Sequence, residues 1–296
     1  VLRNLLKHTR RGMRMIKLLK VGCAVAAVSA AAPAVAVTTA QAEPLTERRC
    51  RGNSPADIMV RVGPLCVDKY EASVWSNPNG TGTQYAQGSP RFPATFPVNG
   101  NWTEKLYAVS KKGAYPTVFL TWFQAQQACA LSGKRLLTNA EWQMAAAGTP
   151  DPGLAGDGLT TCNTNTTGPR PAGASANCVS NWGVNDMVGN VKEWVADWIQ
   201  GPGSSSGRVV NDWIPGAFAV ATPTYGKDSI MGINDAFHGE SPQTGGVGDD
   251  TTVDGLPSAI ARGGIWTSRE GGGVFMLFAE HTPSSLNNAT GFRCAR

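Results

Sequence analysis

"GVFMLFAEHTPSSLNNATGFRCAR", Gly273 to Arg296, opens as a strand and closes on a tightly specified motif. Between them, Phe278, Glu280, His281, Leu286 and Asn287 follow no period that would place them all in a core. The close, "GFRC", combines a strand residue, an arginine able to hold several carbonyls and a cysteine for a bridge, a set suited to stop a terminus from fraying. Just upstream, "ARGGIW" (261–266) supplies two glycines where a strand must pass a crowded core. The "EW" pairs at 141–142 and 193–194 predict an indole in the core and a carboxylate on a backbone or ionic partner.

Working outward, "TWFQAQQACALSG" (121–133) reads as a helix capped by Thr121, with Trp122, Ala125, Ala128 and Cys129 at helical spacing and Gly133 as its stop. "TNAEWQMAAAG" (138–148) repeats the grammar, with Thr138 and Glu141 forming a capping box and Gly148 ending it. "PLCVDKYEASVW" (64–75) predicts a strand. Residues 149–181 and 200–258, rich in Gly, Pro, Ser, Thr, Asn and Asp, read as long loops of the kind that serve function or are pinned by ions and disulfides. No fixed period recurs, which excludes solenoids and propellers. Two short helices, scattered strands and long loops describe an α+β domain.

Residues 1–42 read as a signal peptide. Arg3, Lys7, Arg10, Arg11, Arg14, Lys17 and Lys20 precede an Ala/Val-rich run, and "AQA" ends at Ala42. Ser29 and Pro33 interrupt the run and weigh against a membrane anchor. Export, to the periplasm, the cell surface or the medium, is the expectation. The formal charge of +5 falls to −2 without those seven cations, which removes the case for nucleic-acid binding. Residues 43–296 form the expected single domain, with no membrane role beyond export. It keeps six of the seven cysteines, an even number that in an exported chain favours disulfides over metal thiolates. Cys50 with Cys66 and Cys162 with Cys178 are near in sequence, and Cys129 with Cys294 would tie the middle to the end, but the sequence alone permits other pairings.

Four stretches in order, "CVDKYEASV" (66–74), "GKRLLTNAEWQMAAAG" (133–148), "NDMVGNVKEWVADW" (185–198) and "ARGGIW…GFRCAR" (261–296), resemble the formylglycine-generating enzyme, or sulfatase-modifying factor, domain family. The resemblance implies a variant of the C-type lectin fold: one α+β domain with little regular structure and long ordered loops. It also implies the Cys129–Cys294 bridge.

"NDMVGNVKEW" resembles that family's calcium loop. Carried over, the ligands are the side chains of Asp186 and Glu193 and the backbone carbonyls of Gly189 and Val191, a hard-oxygen set suited to calcium. Asp186 stands where Asn is more usual, and Lys192 where Trp is customary. The family's oxidase chemistry uses a cysteine pair shortly after the RGG strand to bind copper, and here those places hold Ser268 and Gly273, which cannot replace soft thiolates. A related branch holds iron through histidines, whereas only His238 and His281 lie beyond residue 42, in no ligating pattern. Neither copper nor iron is expected, and no catalytic residue is assigned.

Within the family, the ending resembles the variable proteins of diversity-generating retroelements, whose pattern is W-x₆-G-V-F-x-L-x₅-P-S-x₆-G-F-R. Trp266, Gly273-Val274-Phe275, Leu277, Pro283-Ser284 and Gly291-Phe292-Arg293 follow in register. The resemblance makes about 262–296 a variable-type region whose intervening residues bind ligand on one exposed face. These are Thr267, Ser268, Arg269, Glu270, Phe278, Ala279, Glu280 and His281, and more loosely Ser285 to Thr290, with Trp266 and Phe278 as anchors. The expected partner is a protein or glycan at a cell or phage surface. The alternative is a formylglycine-generating or other sulfatase-modifying enzyme acting on proteins through residues outside these motifs.

Overall fold

A computed structural model describes residues 50–85, 91–98, 102–199, 218–222, 226–231, 258–281 and 283–296, with the backbone alone at 199, 218–222, 226–231, 258 and 280. The signal-peptide reading of residues 1–42 and His238 lie outside the described residues.

The two helices form where their caps specify. Helix α1 (Trp122–Leu131) starts at Thr121, whose side chain accepts the Gln124 N–H while the Gln124 side chain accepts the Thr121 N–H. Gln124, Ala125, Ala128 and Cys129 are its buried residues, and Gly133 leaves it at φ +64°. Helix α2 (Asn139–Ala146) has the same reciprocal cap from Thr138 and Glu141, and it buries Trp142, Ala145 and Ala146.

Among the described residues the strands form three sheets. Strands β1 (Met59–Val62), β2 (Leu65–Asp68), β6 (Arg135–Leu136) and β13 (Cys294–Ala295) make a four-stranded sheet in the order β1-β2-β13-β6. Strands β3 (Ser73–Trp75), β4 (Gln84–Tyr85) and β5 (Tyr107–Val109) make a small one in the order β4-β3-β5. The largest contains β7 (Lys192–Ile199), β8 (Phe218–Thr222), β9 (Gly226–Met231), β10 (Ser258–Gly263), β11 (Gly273–His281) and β12 (Thr290–Phe292), in the order β12-β7-β10-β11-β9-β8. Two expectations are corrected here. The single strand read over 64–75 is two strands, because the carbonyls of Asp68 and Lys69 turn to Arg293 instead of continuing a ladder. The 200–258 segment, read as loop, contributes the antiparallel pair β8–β9, and β9 runs parallel to β11.

The central strands are covered on both faces, which alternation along a strand allows. Trp194, Ala259, Ala261 and Phe292 pack with α1 and with Val74 and Ala108. Their neighbours Val195, Ile260 and Val274 pack with α2, Met187, Val188 and the Cys162–Cys178 bridge. Gly263 has φ +92°, and a Cβ there would lie 2.9 Å from the Met187 carbonyl and 3.1 Å from the Trp142 ring. That is the crowded passage the sequence predicted. All three anticipated disulfides are present: Cys50–Cys66, Cys129–Cys294 and Cys162–Cys178.

Candidate functional site

The candidate residues fall into three places: a buried ionic hub, a turn at one end of the β10–β11 hairpin, and the far end of β11.

The hub is built by "EW" and "GFR" together. Arg293 is fully buried and grips Glu193 through Nε (2.8 and 3.0 Å) and one terminal nitrogen (2.6 Å). Its remaining donors reach the carbonyls of Asp68 (2.9 Å), Lys69 (3.2 Å) and Asn185 (2.8 Å). The Trp142 indole N–H donates to the same Glu193 carboxylate at 2.8 Å, so the two "EW" pairs meet. Asp186, at φ +59°, accepts the Gly173 N–H at 2.6 Å, and Glu71 accepts the Val191 N–H and the Asn190 side-chain amide.

This hub contains the side chains assigned to calcium, and as arranged they do not fit one. The Glu193 carboxylate is taken up by a guanidinium and an indole N–H, and a dication would sit beside the charge of Arg293. Among the described residues, no group of three or more His, Cys, Asp or Glu side chains is arranged to hold a metal ion.

The hub gathers three buried carboxyls around one guanidinium. Burial pushes Asp186 up to about 7, with Glu193 adding to the rise against the Gly173 N–H and Arg293. Burial, then the charges of Asp186 and Glu193, hold Glu71 well above the ordinary range. Such groups keep protons in the folded state that the unfolded chain releases, so stability rises as pH falls through 7. His281 works in the opposite sense. Burial, aided by Lys192, lowers it from 6.5 to about 3, so below about 6.5 the unfolded chain takes up a proton that the fold refuses. The melting temperature is therefore expected to climb from pH 8 to about 6, with His281 slowing the gain below 6.5. Asp186→Asn should raise it at pH 8 and flatten the profile, since Asn suits positive φ. Melting curves between pH 8 and 5 check this, and a fall between pH 8 and 6 would contradict it.

The turn Gly264–Gly272 carries five of the expected ligand residues on a backbone held from outside. Trp266 N–H donates to Asn190 O (3.1 Å), Thr166 N–H to Trp266 O (2.7 Å) and Arg269 N–H to Thr164 O (2.7 Å). Ser268 Oγ accepts the Ile265 N–H at 2.8 Å, so this hydroxyl shapes the turn. Thr267 and Arg269 are exposed, Trp266, Ser268 and Glu270 half-buried, and Arg269 holds φ +51°. A non-glycine residue in this conformation costs about 1–2 kcal/mol.

At the far end of β11, Phe278 is half-buried against the α1 core, with its ring 4.7 Å from that of His281. Lys192 Nζ lies 3.5 Å from the Phe278 centroid and 3.5 Å from His281 Nε2, a contact the sequence did not suggest beyond the substitution noted at 192. The Glu280 backbone lies in β11. Ala259 pairs with both His281 and Trp198, which brings an aromatic group alongside. Trp198 is 40% exposed and meets Trp122 and Phe123 edge-on at 4.9 and 5.8 Å. This group was not singled out from the sequence.

Gly273 pairs with Gly263 and Phe278 with Ala261, so an irregularity in β11 sets the two opposite partners only two residues apart on β10. Ala279, Ser285, Ala289 and Thr290 are buried, whereas Phe275, a fixed place in the pattern, is exposed.

A family model, the sulfatase-modifying factor enzyme 1-like domain, matches residues 66–296. The serine/threonine-protein kinase pkn1 of Chlamydia pneumoniae is 28% identical over 188 residues, 62% of this chain and 24% of the kinase, so the chain spans about a quarter of that relative. The formylglycine-generating enzyme of Thermomonospora curvata is 32% identical over 111 residues, 31% of this chain and 36% of the enzyme. Among solved structures, a Major Tropism Determinant M1 variant covers 83% of this chain and 54% of its own, with 21% identity and a TM-score of 0.46. Treponema denticola variable protein 1 covers 81% and 99%, with 15% identity and a TM-score of 0.38.

Proposed function

The chain belongs to the family of sulfatase-modifying factor enzyme 1-like domains, with their C-type-lectin-like α+β fold, and we propose that it uses this scaffold as an exported ligand-binding protein. Its C-terminal region, 262–296, is a diversified face for a protein or glycan at a cell or phage surface, without the family's copper oxidase chemistry.

The observation that carries this reading is the turn Gly264–Gly272. Neighbouring loops hold its main chain at Trp266 and Arg269, while Thr267 and Arg269 project into solvent. Side chains can vary there without altering the support, which a diversified binding face requires. The strained φ of Arg269 at an exposed position agrees with selection for its side chain. The far end of β11 would add a second contact area, with Phe278, His281 and Trp198 as aromatic anchors. Against oxidase chemistry, each cysteine from Cys50 onward is in a disulfide, and Ser268 and Gly273 stand where the copper thiolates would be.

Two tests decide between this reading and an enzyme. A near-copy of the DNA encoding 262–296, altered at adenines and beside a reverse transcriptase gene, is expected next to this gene, and its absence would count against diversification. Incubation with copper and a cysteine-bearing peptide should leave the cysteine unchanged; its conversion to formylglycine would restore the oxidase reading. Thr267→Ala with Arg269→Gly should leave the melting temperature unchanged or slightly higher, since relief of strain offsets the entropy of glycine. A drop of several degrees would show that the turn depends on these side chains. Chelation of calcium should also leave the melting point unmoved; a fall would return an ion to the hub.

A further inference from the structure

A second ionic group adjoins the hub through Asp68, whose carbonyl Arg293 holds and whose carboxyl faces Lys134. Lys134 follows Gly133 directly and has a side chain with no exposure. Its Nζ lies 2.6 Å from Asp57 Oδ1 and 2.7 Å from Asp68 Oδ1, and both carboxyls are equally sealed from solvent. One amine and two carboxyls in hydrogen-bond contact, shielded from water, are the reactants and proton carrier for an amide condensation.

We propose that Lys134 and Asp68 become joined by an intramolecular isopeptide bond, with Asp57 moving the protons.

The surroundings give the two carboxyls different roles. Both Asp57 oxygens accept backbone N–H groups, Oδ1 from Ser110 at 2.9 Å and Oδ2 from Asn53 at 2.8 Å, which leaves this carboxylate placed as a base beside the amine. Asp68 has an oxygen on each side of its task. Oδ1 faces the amine, and Oδ2 accepts the Cys294 N–H at 3.0 Å, the donor that would stabilise charge developing on that oxygen. Burial, with the charge of Asp57 adding to it against Lys134, pushes Asp68 up to about 6, which favours the protonated acid that can lose hydroxide as water. The amine nitrogen, 2.7 Å from Oδ1, is placed beside the carboxyl carbon it would attack.

The step balances without any further reactant. The ammonium passes a proton to Asp57, and the amine nitrogen attacks Cγ of protonated Asp68 to form the N–C bond. Asp57 returns a proton to the departing Oδ1 hydroxyl, and the nitrogen sheds its extra proton to Asp57. The C–Oδ1 bond breaks and one water leaves, so the chain loses the elements of water and nothing is oxidised or reduced.

The test is mass spectrometry of the full chain, expressed, denatured and reduced. The expected result is a mass one water below that of the linear sequence, with a protease-derived branched peptide joining the Lys134 segment to the Asp68 segment after reduction. Lys134→Arg should restore the linear mass, and because mass reads chemistry the result does not depend on how well that variant folds. Recovery of the Lys134 and Asp68 peptides from wild-type protein only in linear form, or a branch at Asp57 in place of Asp68, would overturn the proposal. Neither outcome bears on ligand binding, which stands or falls on its own tests.

Discussion

Arg293→Met is expected to abolish stable folding at 37 °C. The guanidinium is fully buried and serves four partners: the Glu193 carboxylate and the carbonyls of Asp68, Lys69 and Asn185. Removing one member of a buried ion pair costs about 3–5 kcal/mol, because the other charge is left without compensation. Here Glu71 and Asp186 also lose the cation that offsets their burial. Each carbonyl left without a donor adds about 1–3 kcal/mol. The total is comparable with the whole stability of a domain, about 5–15 kcal/mol. Adding Glu193→Met to the variant should recover part of the loss by removing the stranded carboxylate. Urea denaturation checks both, and a loss below about 1 kcal/mol for the single variant would mean that the hub is not the anchor its contacts indicate.

Cys129→Ala with Cys294→Ala is expected to give the second-largest loss. This bridge closes a loop of 165 residues, whereas the other two each close one of 16. Chain entropy assigns the long loop roughly 5 kcal/mol and each short one about 3. The long bridge also joins the buried face of α1 to β13 beside Phe292. Its removal should therefore lower the urea midpoint more than removal of Cys50–Cys66 does. An equal or smaller shift would mean that packing alone holds the terminal strand.

Legibility followed the range of the interaction. Local chemistry was readable: both capping boxes lie within three residues, and the stop at Gly133 needs only its own φ. Of the disulfides, Cys129–Cys294 drew on the family resemblance, whereas the other two join sequence-near cysteines. In "GFRC" the arginine's appetite for carbonyls was visible, but not that three come from two segments more than 100 residues away. The surroundings of the calcium set were hidden for a related reason. Asp186 and Glu193 have the right oxygens in sequence, but Arg293, 100 residues from Glu193, claims the second of them. For the binding face, a sequence pattern carries order and not burial. Ala279 stands among the intervening places of the motif, yet the fold buries it. The Lys134 group escaped notice because its carboxyls lie 77 and 66 residues away.

The pairing of β2 with β13 also determines how the domain responds to force. Cys66 and Arg296 exchange two hydrogen bonds of 2.8 Å, and Cys50 is bonded covalently to Cys66. A pull between residues 50 and 296 therefore enters at one end of an antiparallel ladder and unzips it bond by bond, the geometry of least mechanical resistance. Peeling ends at Cys294, whose sulfur is anchored in α1. Tension applied at the terminus is diverted there into the helix, so the hairpin that presents Thr267 and Arg269 stays slack while the end of the chain is under strain.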